Sequence, residues 1–520
     1  METAMTRCDV LIVGAGPTGL VLALWLTKLG ATVRIIDKTA APGTTSRALA
    51  VHARTLELYR QLDLAEAVID KGHKVPAAGL WVQGERKARI SFADAGADLT
   101  PYPFLHIFPQ DEHEKLLIER LEALGVSVDR QTELVAYSDD GARVLATLRG
   151  PSGQEERCEA AYIAGCDGAR SAVRRGMGAG FPGGTYQQVF YVADVEASGP
   201  AINGDLGIDL DEADFLAVFP LAGEGRARLI GTVRDERAGQ AETLRFEDVS
   251  GRAIESLKVE VNKVNWFSTY HVHHRVTEHF RKGRAFLLGD AAHIHSPVGG
   301  QGMNTGIGDA INLAWKLKMV LDRRAPDALL DSYEAERIPF AKRLVNTTDR
   351  VFTMVNAEGS LAKIIRTRLV PAVLPAVAKL GALREFAFRS VSQITISYRG
   401  GPISAGKAGD VQGGDRLPWV SIDGVDNHAP LSAMTWQAHV YGHASDGLAL
   451  WCSAHGTPLH RFEWRDAHGA AGLARGAIYL IRPDTYVALA SLSPGPEILD
   501  RYFADRGMRP ADPGALATAS

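Results

Sequence analysis

The feature that most constrains how this chain folds is a glycine-rich turn close to its N-terminus. Residues 8–13 have the pattern of a buried strand and lead directly into Gly14-Ala15-Gly16-Pro17-Thr18-Gly19. The following residues, 20–29, have apolar side chains at helical spacing. A strand, a turn with this glycine spacing and a helix begin the Rossmann-type unit that binds a dinucleotide.

Each residue of this turn has a physical task in such a unit. Gly14 permits the tight turn, Gly16 lets the backbone approach a pyrophosphate, and Gly19 lets the helix pack close to the strand. Pro17 and Thr18 lie at the start of the helix, where unpaired N–H groups and the positive end of the dipole favour phosphate. We therefore expect all five residues to bind the cofactor.

An acidic residue completes this first unit. Residues 32–36 form a second strand, and Asp37 follows it, 18 residues after Gly19, where a carboxylate binds ribose hydroxyls. We include the adjacent Lys38 in the predicted site. Residues 178–183 repeat the glycine spacing, but they lack a preceding strand and lead into a turn and a strand, so we regard this match as accidental.

Two later motifs also end a strand in a Gly-Asp or Asp-Gly turn. Residues 162–165 lead to Asp167-Gly168, and residues 285–288 lead to Gly289-Asp290. Ligands of open α/β sheets bind beyond the carboxyl ends of the strands. Taken singly, each aspartate could instead be a residue that caps a helix or a turn.

Together with the run from Pro297 to Lys316, these motifs resemble the single-component flavin aromatic hydroxylases, and most closely the branch of phenol and aromatic polyketide hydroxylases. The resemblance covers roughly residues 5 to 400. It implies that Asp37 binds the adenosine ribose of FAD, that Asp290 binds the ribitol chain, and that Asp167 and Gly168 serve both flavin and nicotinamide binding.

Two more positions follow from the resemblance. Arg47 is similar to the arginine that faces the FAD pyrophosphate and the entering nicotinamide, which makes it both a cofactor-binding and a catalytic candidate. The alternative is a surface arginine. Gln110 is similar to a glutamine that touches the flavin, and its alternative is a residue that only begins a helix.

The glycine-rich run precedes a helix that we predict over residues 303–320. If its start faces the flavin pyrimidine ring, N–H groups and the helix dipole stabilise the charge of the reduced cofactor. We expect its early residues to contact the cofactor, and the resemblance places the turn at residues 297–298 beside the reacting oxygen. The cofactor candidates in this run are Pro297, Gly300, Gly302, Met303 and Asn304, and the catalytic candidates are Pro297, Gly299 and Gly300.

The resemblance implies the reaction as well. NADPH or NADH reduces FAD, O2 forms a flavin C4a-hydroperoxide, and a phenolic or polycyclic aromatic substrate is hydroxylated. A base is expected near the substrate hydroxyl, and the segment with Tyr270, His271, His273 and His274 could include it or could serve only packing. Epoxidation, Baeyer-Villiger insertion by the same fold, and FAD binding without catalysis remain alternatives.

The composition excludes several other functions. A net charge of −4 gives no field for nucleic acid, and 46% hydrophobic residues with 53 Gly and 24 Pro describe an ordinary globular protein. The four cysteines form no CxxC pair, so we predict no metal site. No apolar segment is long enough for a membrane span, and we predict a cytoplasmic protein.

We therefore predict an α/β protein with a Rossmann-type FAD-binding domain, an antiparallel-sheet substrate domain and a C-terminal thioredoxin-like domain. Trp451-Cys452-Ser453-Ala454-His455 lacks a second cysteine, which excludes a dithiol mechanism in the tail and favours a structural or dimer-interface role, so a homodimer is one expected assembly. The boundaries are 1–185 and 285–345 for the FAD-binding domain, 186–284 with parts of 76–105 for the substrate sheet, 346–399 for a helical segment, and 400–520 for the tail.

Overall fold

The computed structural model describes residues 5–43, 48–82, 84–209, 215–233, 244–249, 251–296, 298–355, 385, 388–389, 392–493 and 495–510. Two predicted site residues, Arg47 and Pro297, lie outside the described residues. The same holds for most of the predicted helical segment after Val355.

The first sheet is built around the N-terminal strand. Val10, Leu11 and Ile12 are all fully buried, so this strand is covered on both faces, as in other parallel sheets. Three further strands of the sheet are antiparallel: Glu133–Asp139, Val144–Arg149 and Arg281–Lys282. The five parallel strands lie in the order Ala285–Leu287, Glu155–Gly165, Met5–Val13, Val33–Ile36 and Val128–Asp129.

Helices cover this sheet. Pro17–Lys28 is apolar on all sides, with Leu20–Leu26 buried, and it packs against Gln110–Ala123 and Gln301–Leu321. The helix Gln301–Leu321 begins two residues earlier than the predicted helix 303–320 and ends one residue later. The other helices of this part of the chain are Ala53–Tyr59, Ala65–Lys71, Ala93–Gly96, Ala172–Met177, Gly251–Ser256 and Asp331–Val355.

The predicted substrate sheet has eight strands. Its order is His293–Ile294, Glu260–Val276, Gly183–Ser198, Arg226–Val233, Leu216–Pro220, Leu206–Asp209, Ala77–Val82 and Glu85–Ser91. The prediction of an antiparallel sheet holds for every pair except Leu206–Asp209 with Ala77–Val82, which is parallel. These two strands come from distant segments and no hairpin connects them, so the chain direction is free to be parallel. Gly251–Ser256 packs on one face of this sheet.

A three-stranded sheet joins these two parts of the molecule. Its strands are Ala50–Val51, Leu105–Ile107 and His73–Val75, and all the pairs are antiparallel. Residues 178–183, which repeat the glycine spacing, lead into a strand and not a helix, as predicted. Gly178 ends the helix Ala172–Met177 in a left-handed conformation, and the strand Gly183–Ser198 follows.

The C-terminal part has its own six-stranded sheet. Gln437–Tyr441 and Leu459–Phe462 are parallel and are connected by the helix Asp446–Ala454. An antiparallel hairpin, Ile478–Ile481 and Val487–Ser491, follows, and the helix Glu497–Ala504 comes after it. The order of the sheet is Val411–Gln412, Ala405–Ala408, Val487–Ser491, Ile478–Ile481, Gln437–Tyr441 and Leu459–Phe462. Smaller elements are the strands Ser421–Ile422 and Val425–Asp426 and the helix Asp466–Ala470.

Buried charges fix this C-terminal part to the rest of the chain. The guanidinium of Arg482 donates to Glu336 at 2.7 Å and to Asp484 at 2.6 Å, and Lys316 donates to Glu336 at 2.8 Å. Burial alone would raise the pKa of Glu336, but Arg482 and Lys316 lower it to about 2. Because removing one partner would leave another charge buried and unpaired, this network fixes one orientation. None of the helices described above is both long and apolar enough to cross a membrane.

Candidate cofactor site

Four parallel strands end level with one another, and the predicted turns follow their carboxyl ends. The register pairs Val13 with Gly165 and Ile36, and Gly165 with Leu287. The turns at Gly14, Asp37, Asp167 and Gly289 therefore lie along one edge of the sheet. This is the edge at which open α/β sheets bind their ligands.

The three glycines of the first turn have different surroundings. Gly14 has a φ of +105°, and a Cβ there would lie 2.3 Å from the carbonyl oxygen of Cys166. A Cβ on Gly19 would lie 2.0 Å from the carbonyl oxygen of Gly14. A Cβ on Gly16 would meet no atom within 4 Å. Gly14 and Gly19 are therefore required by packing, whereas the backbone at Gly16 faces open space that a phosphate group fits.

These glycines give a matched pair of predictions. We expect Gly19→Ala to destabilise the protein by about 1–3 kcal/mol through overpacking, whereas Gly16→Ala changes the free energy of unfolding by less than about 0.5 kcal/mol. Gly16→Ala should nevertheless weaken FAD binding by about tenfold, or ~1.4 kcal/mol. Urea unfolding of the FAD-free protein and titration with FAD measure the two effects. Equal FAD affinity of Gly16→Ala and wild type would contradict the assignment.

Asp37 lies at the wall of a cleft of about 180 Å³ that Gly16 and Gln110 also line. One carboxylate oxygen accepts from the N–H of Ala15 at 2.8 Å, and the other accepts from the N–H of Thr39 at 2.8 Å. These bonds fix the carboxylate beside the phosphate-binding turn. The next residue, Lys38, is exposed.

Gln110 begins a helix, as one of its two alternatives predicts, while its contact with the flavin stays a prediction. It is the first residue of the helix Gln110–Ala123, and its side chain also lines the cleft. Its amide nitrogen donates to Glu114 at 2.7 Å, while burial raises the pKa of Glu114. The helix therefore presents Gln110 on the same cleft as Asp37.

The turn at Gly289 and Asp290 meets the starts of two helices. Gly289 has a φ of +55°, and a Cβ there would lie 2.8 Å from the hydroxyl of Thr18. A Cβ on Gly306 would lie 2.3 Å from the same hydroxyl. The Asp290 side chain is solvent-exposed, yet surrounding protein atoms desolvate the carboxyl and raise its pKa. An exposed carboxylate beside this turn is suited to bind hydroxyl groups of a cofactor chain.

Asp309 holds this turn in place, although the sequence analysis assigned it no role. Its carboxylate accepts from the Gly289 N–H at 3.0 Å, from Nε2 of His293 at 2.7 Å and from Nε of Arg337 at 2.5 Å. Burial alone would raise the pKa of Asp309, but Arg337 and His293 lower it. The one sequence signal for such a role is that Asp309 lies among the apolar residues of the helix Gln301–Leu321.

Asp167 caps a helix, as its alternative interpretation predicts. One carboxylate oxygen accepts from the N–H of Ala172 at 2.6 Å, at the start of the helix Ala172–Met177. The other oxygen is buried and has no hydrogen-bond partner among the described residues. Gly168 has a φ of +73°, and a Cβ there would meet nothing within 4 Å. A second role in cofactor binding is thus compatible with this geometry.

The glycine-rich run forms a left-handed turn before the long helix. Gly299 and Gly300 have φ values of +79° and +62°, and the helix Gln301–Leu321 starts directly after them without a side-chain cap. Gly302 and Met303 are half-buried in its first turn. Glycine is required here because other residues adopt this conformation at a cost.

Asn304 is engaged by the protein. Its amide oxygen accepts from the N–H of His52 at 2.9 Å and from the hydroxyl of Thr55 at 2.7 Å. Its amide nitrogen donates to the carbonyl oxygens of Ala50 and Gly300, at 2.8 and 2.9 Å. Because its side-chain amide is bonded within the protein, the predicted contact of Asn304 with the cofactor is left to its backbone.

The structure separates the four candidate bases by strand alternation. Tyr270 packs with Phe190, Val272 and Ile230 on one face of the substrate sheet, whereas Phe267 packs against the opposite, helix-covered face. His274 has the same parity as Tyr270 and Val272, while His271 and His273 have the parity of Phe267. Nδ1 of His273 pairs with the hydroxyl of Thr185 at 2.7 Å. Tyr270 and His274 thus share the face that carries Phe190 and Val272, and His271 and His273 share the opposite face.

The fold brings a glycine-rich turn and acidic turns to the carboxyl edge of a parallel sheet, which is the arrangement of dinucleotide-binding proteins. The FAD binding domain family matches residues 7–348. The 6-methylpretetramide 4-monooxygenase of Streptomyces rimosus is 36% identical over 408 residues, which cover 76% of this chain and 71% of that protein. The 12-dehydrotetracycline 5-monooxygenase/anhydrotetracycline 6-monooxygenase of Streptomyces rimosus subsp. rimosus is 32% identical, covering 92% and 95%.

A solved structure agrees with these relatives. The anhydrotetracycline hydroxylase of Streptomyces rimosus superposes with a TM-score of 0.75 at 28% identity, covering 97% of this chain and 100% of that one. The chain therefore belongs to the FAD binding domain family and is a flavin-dependent monooxygenase. The alternative of FAD binding without catalysis is set aside by these matches.

Proposed function

We propose that this protein hydroxylates a phenolic or polycyclic aromatic substrate, using FAD, O2 and NADPH or NADH. The observation that carries the proposal is the convergence of Gly16, Asp37 and Asp290 on one edge of the sheet, next to the start of the helix Gln301–Leu321. The relatives named above supply the substrate class. When bound, FAD supplies the two-electron and oxygen chemistry.

The residues present fit FAD. Gly16 and the helix start at Pro17 and Thr18 would hold its pyrophosphate, Asp37 its adenosine ribose, and Asp290 its ribitol chain. The N–H groups after Gly300 would stabilise negative charge on the pyrimidine ring. The open space at Gly16 and the exposed carboxylate of Asp290 support this orientation.

The substrate surface is proposed on the Tyr270 face of the second sheet. Phe190 and Val272 are buried, while Phe215, Ile230 and Tyr270 are partly exposed around them. Ile230 also packs in the cluster that contains Ala50, and a Cβ on Gly300 would lie 2.7 Å from the Cβ of Ala50. The aromatic surface is thereby connected to the glycine turn, and such rings stack with planar substrates.

The domain boundaries stated above are part of this proposal. We infer that the C-terminal part is thioredoxin-like, which its strand order and connecting helices support. The buried ion pairs of Arg482 support a structural role for it. A homodimer and a cytoplasmic location remain expectations.

The function is tested with purified, FAD-loaded protein. NADPH and NADH oxidation and O2 uptake are measured with phenol, 1-naphthol and 1,8-dihydroxyanthrone as probes, and products formed under ¹⁸O2 are examined by mass spectrometry and NMR. A ring that gains one labelled hydroxyl supports the proposal. A lactone or an epoxide would assign the same site to a different oxygenation, and unstimulated NAD(P)H oxidation with every probe would contradict it.

Arg47 provides a separate prediction on nicotinamide. We expect Arg47→Ala to slow FAD reduction by NADPH by roughly tenfold or more, because a hydrogen bond to a charged group contributes about 1.5–3 kcal/mol. FAD content should change less. Anaerobic stopped-flow reduction measures the rate, and Arg149→Ala, which removes a surface ion pair with Glu155, is the control. Reduction of Arg47→Ala at the wild-type rate would refute the role.

A further inference from the structure

We propose that His52 is a positioning residue that holds the turn Val298–Gly300 in place and thereby sets how strongly the site prefers reduced over oxidised FAD. The inference rests on the proposed orientation of FAD. His52 is only 1% exposed and follows the strand Ala50–Val51. It belongs to none of the motifs from which the cofactor site was predicted.

The contacts of His52 are directed at both sides of the turn. Nε2 lies 3.0 Å from the carbonyl oxygen of Gly299, and the backbone N–H donates to Asn304 at 2.9 Å. Asn304 in turn donates to the carbonyl oxygens of Ala50 and Gly300. The segment from Ala50 to Thr55 therefore clamps the turn from Gly299 to Asn304.

Burial determines the protonation state of His52. It lowers the pKa of His52 to about 4, so the imidazole is neutral near neutral pH. Because a carbonyl oxygen can only accept, the single ring proton lies on Nε2 and is donated to Gly299. The neighbouring His295 is neutral for the same reason, since burial lowers its pKa to about 4. The clamp therefore adds no positive charge of its own.

The other ring nitrogen indicates that stability does not require this histidine. Nδ1 is buried and has no hydrogen-bond partner among the described residues. An unsatisfied buried polar atom costs about 1–3 kcal/mol. An apolar side chain of similar size would remove that cost, so the value of the imidazole lies in its bond to Gly299.

The hydrogen bond from His52 to Gly299 restrains a turn whose two glycines have more backbone freedom than other residues. Gly299 and Gly300 are both left-handed, and the helix that follows has no side-chain cap. Without the bond the Gly299 peptide can rotate, and the N–H groups at the helix start lose their alignment. Reduced flavin carries more negative charge than oxidised flavin, so it loses more from misaligned donors.

The test compares His52→Leu, His52→Gln and the matched control His106→Leu. His106 is also buried, also has a pKa near 4 because of burial, and also has an unpartnered Nδ1 among the described residues. Its Nε2 lies 2.8 Å from the carbonyl oxygen of Val68 instead of the turn. The two histidines differ mainly in which carbonyl they hold.

The readout is the two-electron reduction potential of bound FAD, measured by equilibration with reference dyes. For His52→Leu we expect at least a tenfold loss of preference for reduced FAD, which corresponds to a shift of about 30 mV to more negative values. His52→Gln, which keeps a donor, should recover most of the shift. His106→Leu should keep the wild-type potential. If His52→Leu does not retain FAD, His52→Met carries the same test.

Two results would overturn the proposal: an unchanged potential in FAD-loaded His52→Leu, or an equal shift in His106→Leu. The measurement needs no substrate, nicotinamide or O2. A failure of the proposed hydroxylation therefore leaves it intact, and a failure of the His52 role leaves the hydroxylation intact.

Discussion

Replacing Asp309 by alanine is expected to lower the free energy of unfolding by about 3–5 kcal/mol, because it leaves a buried charge without its partner. The guanidinium of Arg337 and the imidazole of His293 would both lose their acceptor, and so would the N–H of Gly289. The side chains of Asp309, Arg337 and His293 are all fully buried.

Urea unfolding of FAD-free protein measures this effect, with Asp331→Ala as the control. Asp331 also pairs with an arginine, at 2.6 Å to Arg281, but its side chain is 73% exposed. An exposed pair contributes at most ~1 kcal/mol. Similar losses in Asp309→Ala and Asp331→Ala would show that the buried network does not hold the fold.

The second large effect concerns FAD itself. We expect Asp290→Ala to weaken FAD binding by roughly 10- to 100-fold, because a hydrogen bond to a charged group contributes about 1.5–3 kcal/mol. The Asp290 side chain is exposed, so the unfolding of FAD-free protein should not change. Flavin content after purification and FAD titration provide the measurement.

Asp70→Ala is the matched control, since Asp70 is an exposed carboxylate on the helix Ala65–Lys71. It should bind FAD as the wild type does. Undiminished flavin content in Asp290→Ala would remove Asp290 from the cofactor site. The two variants thus test different properties of the turn at Gly289: Asp290→Ala tests FAD binding, and Asp309→Ala tests stability.

Much of the fold was predictable because its determinants are local. The strand, the glycine turn and the helix at residues 8–29 depend on apolar spacing and on positions that tolerate no Cβ, and both are visible in the sequence. The accidental glycine match was recognised because it lacks a strand before it.

The role of single residues was less predictable, since it depends on partners distant in the chain. Asp309 acquires its function only when Arg337, His293 and Gly289 converge on it. Asn304 stays a predicted cofactor residue, but the sequence did not indicate that its side chain bonds to the His52 N–H and the Thr55 hydroxyl. The parallel pairing of Leu206–Asp209 with Ala77–Val82 likewise has no local indication.

The sequence by itself predicted a dinucleotide-binding turn at Gly14–Gly19 and acidic turns at the ends of the neighbouring strands, because backbone sterics and hydrophobic periodicity act over short stretches. Only the tertiary structure decided which carboxylates are exposed, as Asp290 is, and which are buried in an ion network, as Asp309 of the helix Gln301–Leu321 is. Burial and the distance between charges set that difference, and both arise from contacts between segments far apart in the chain.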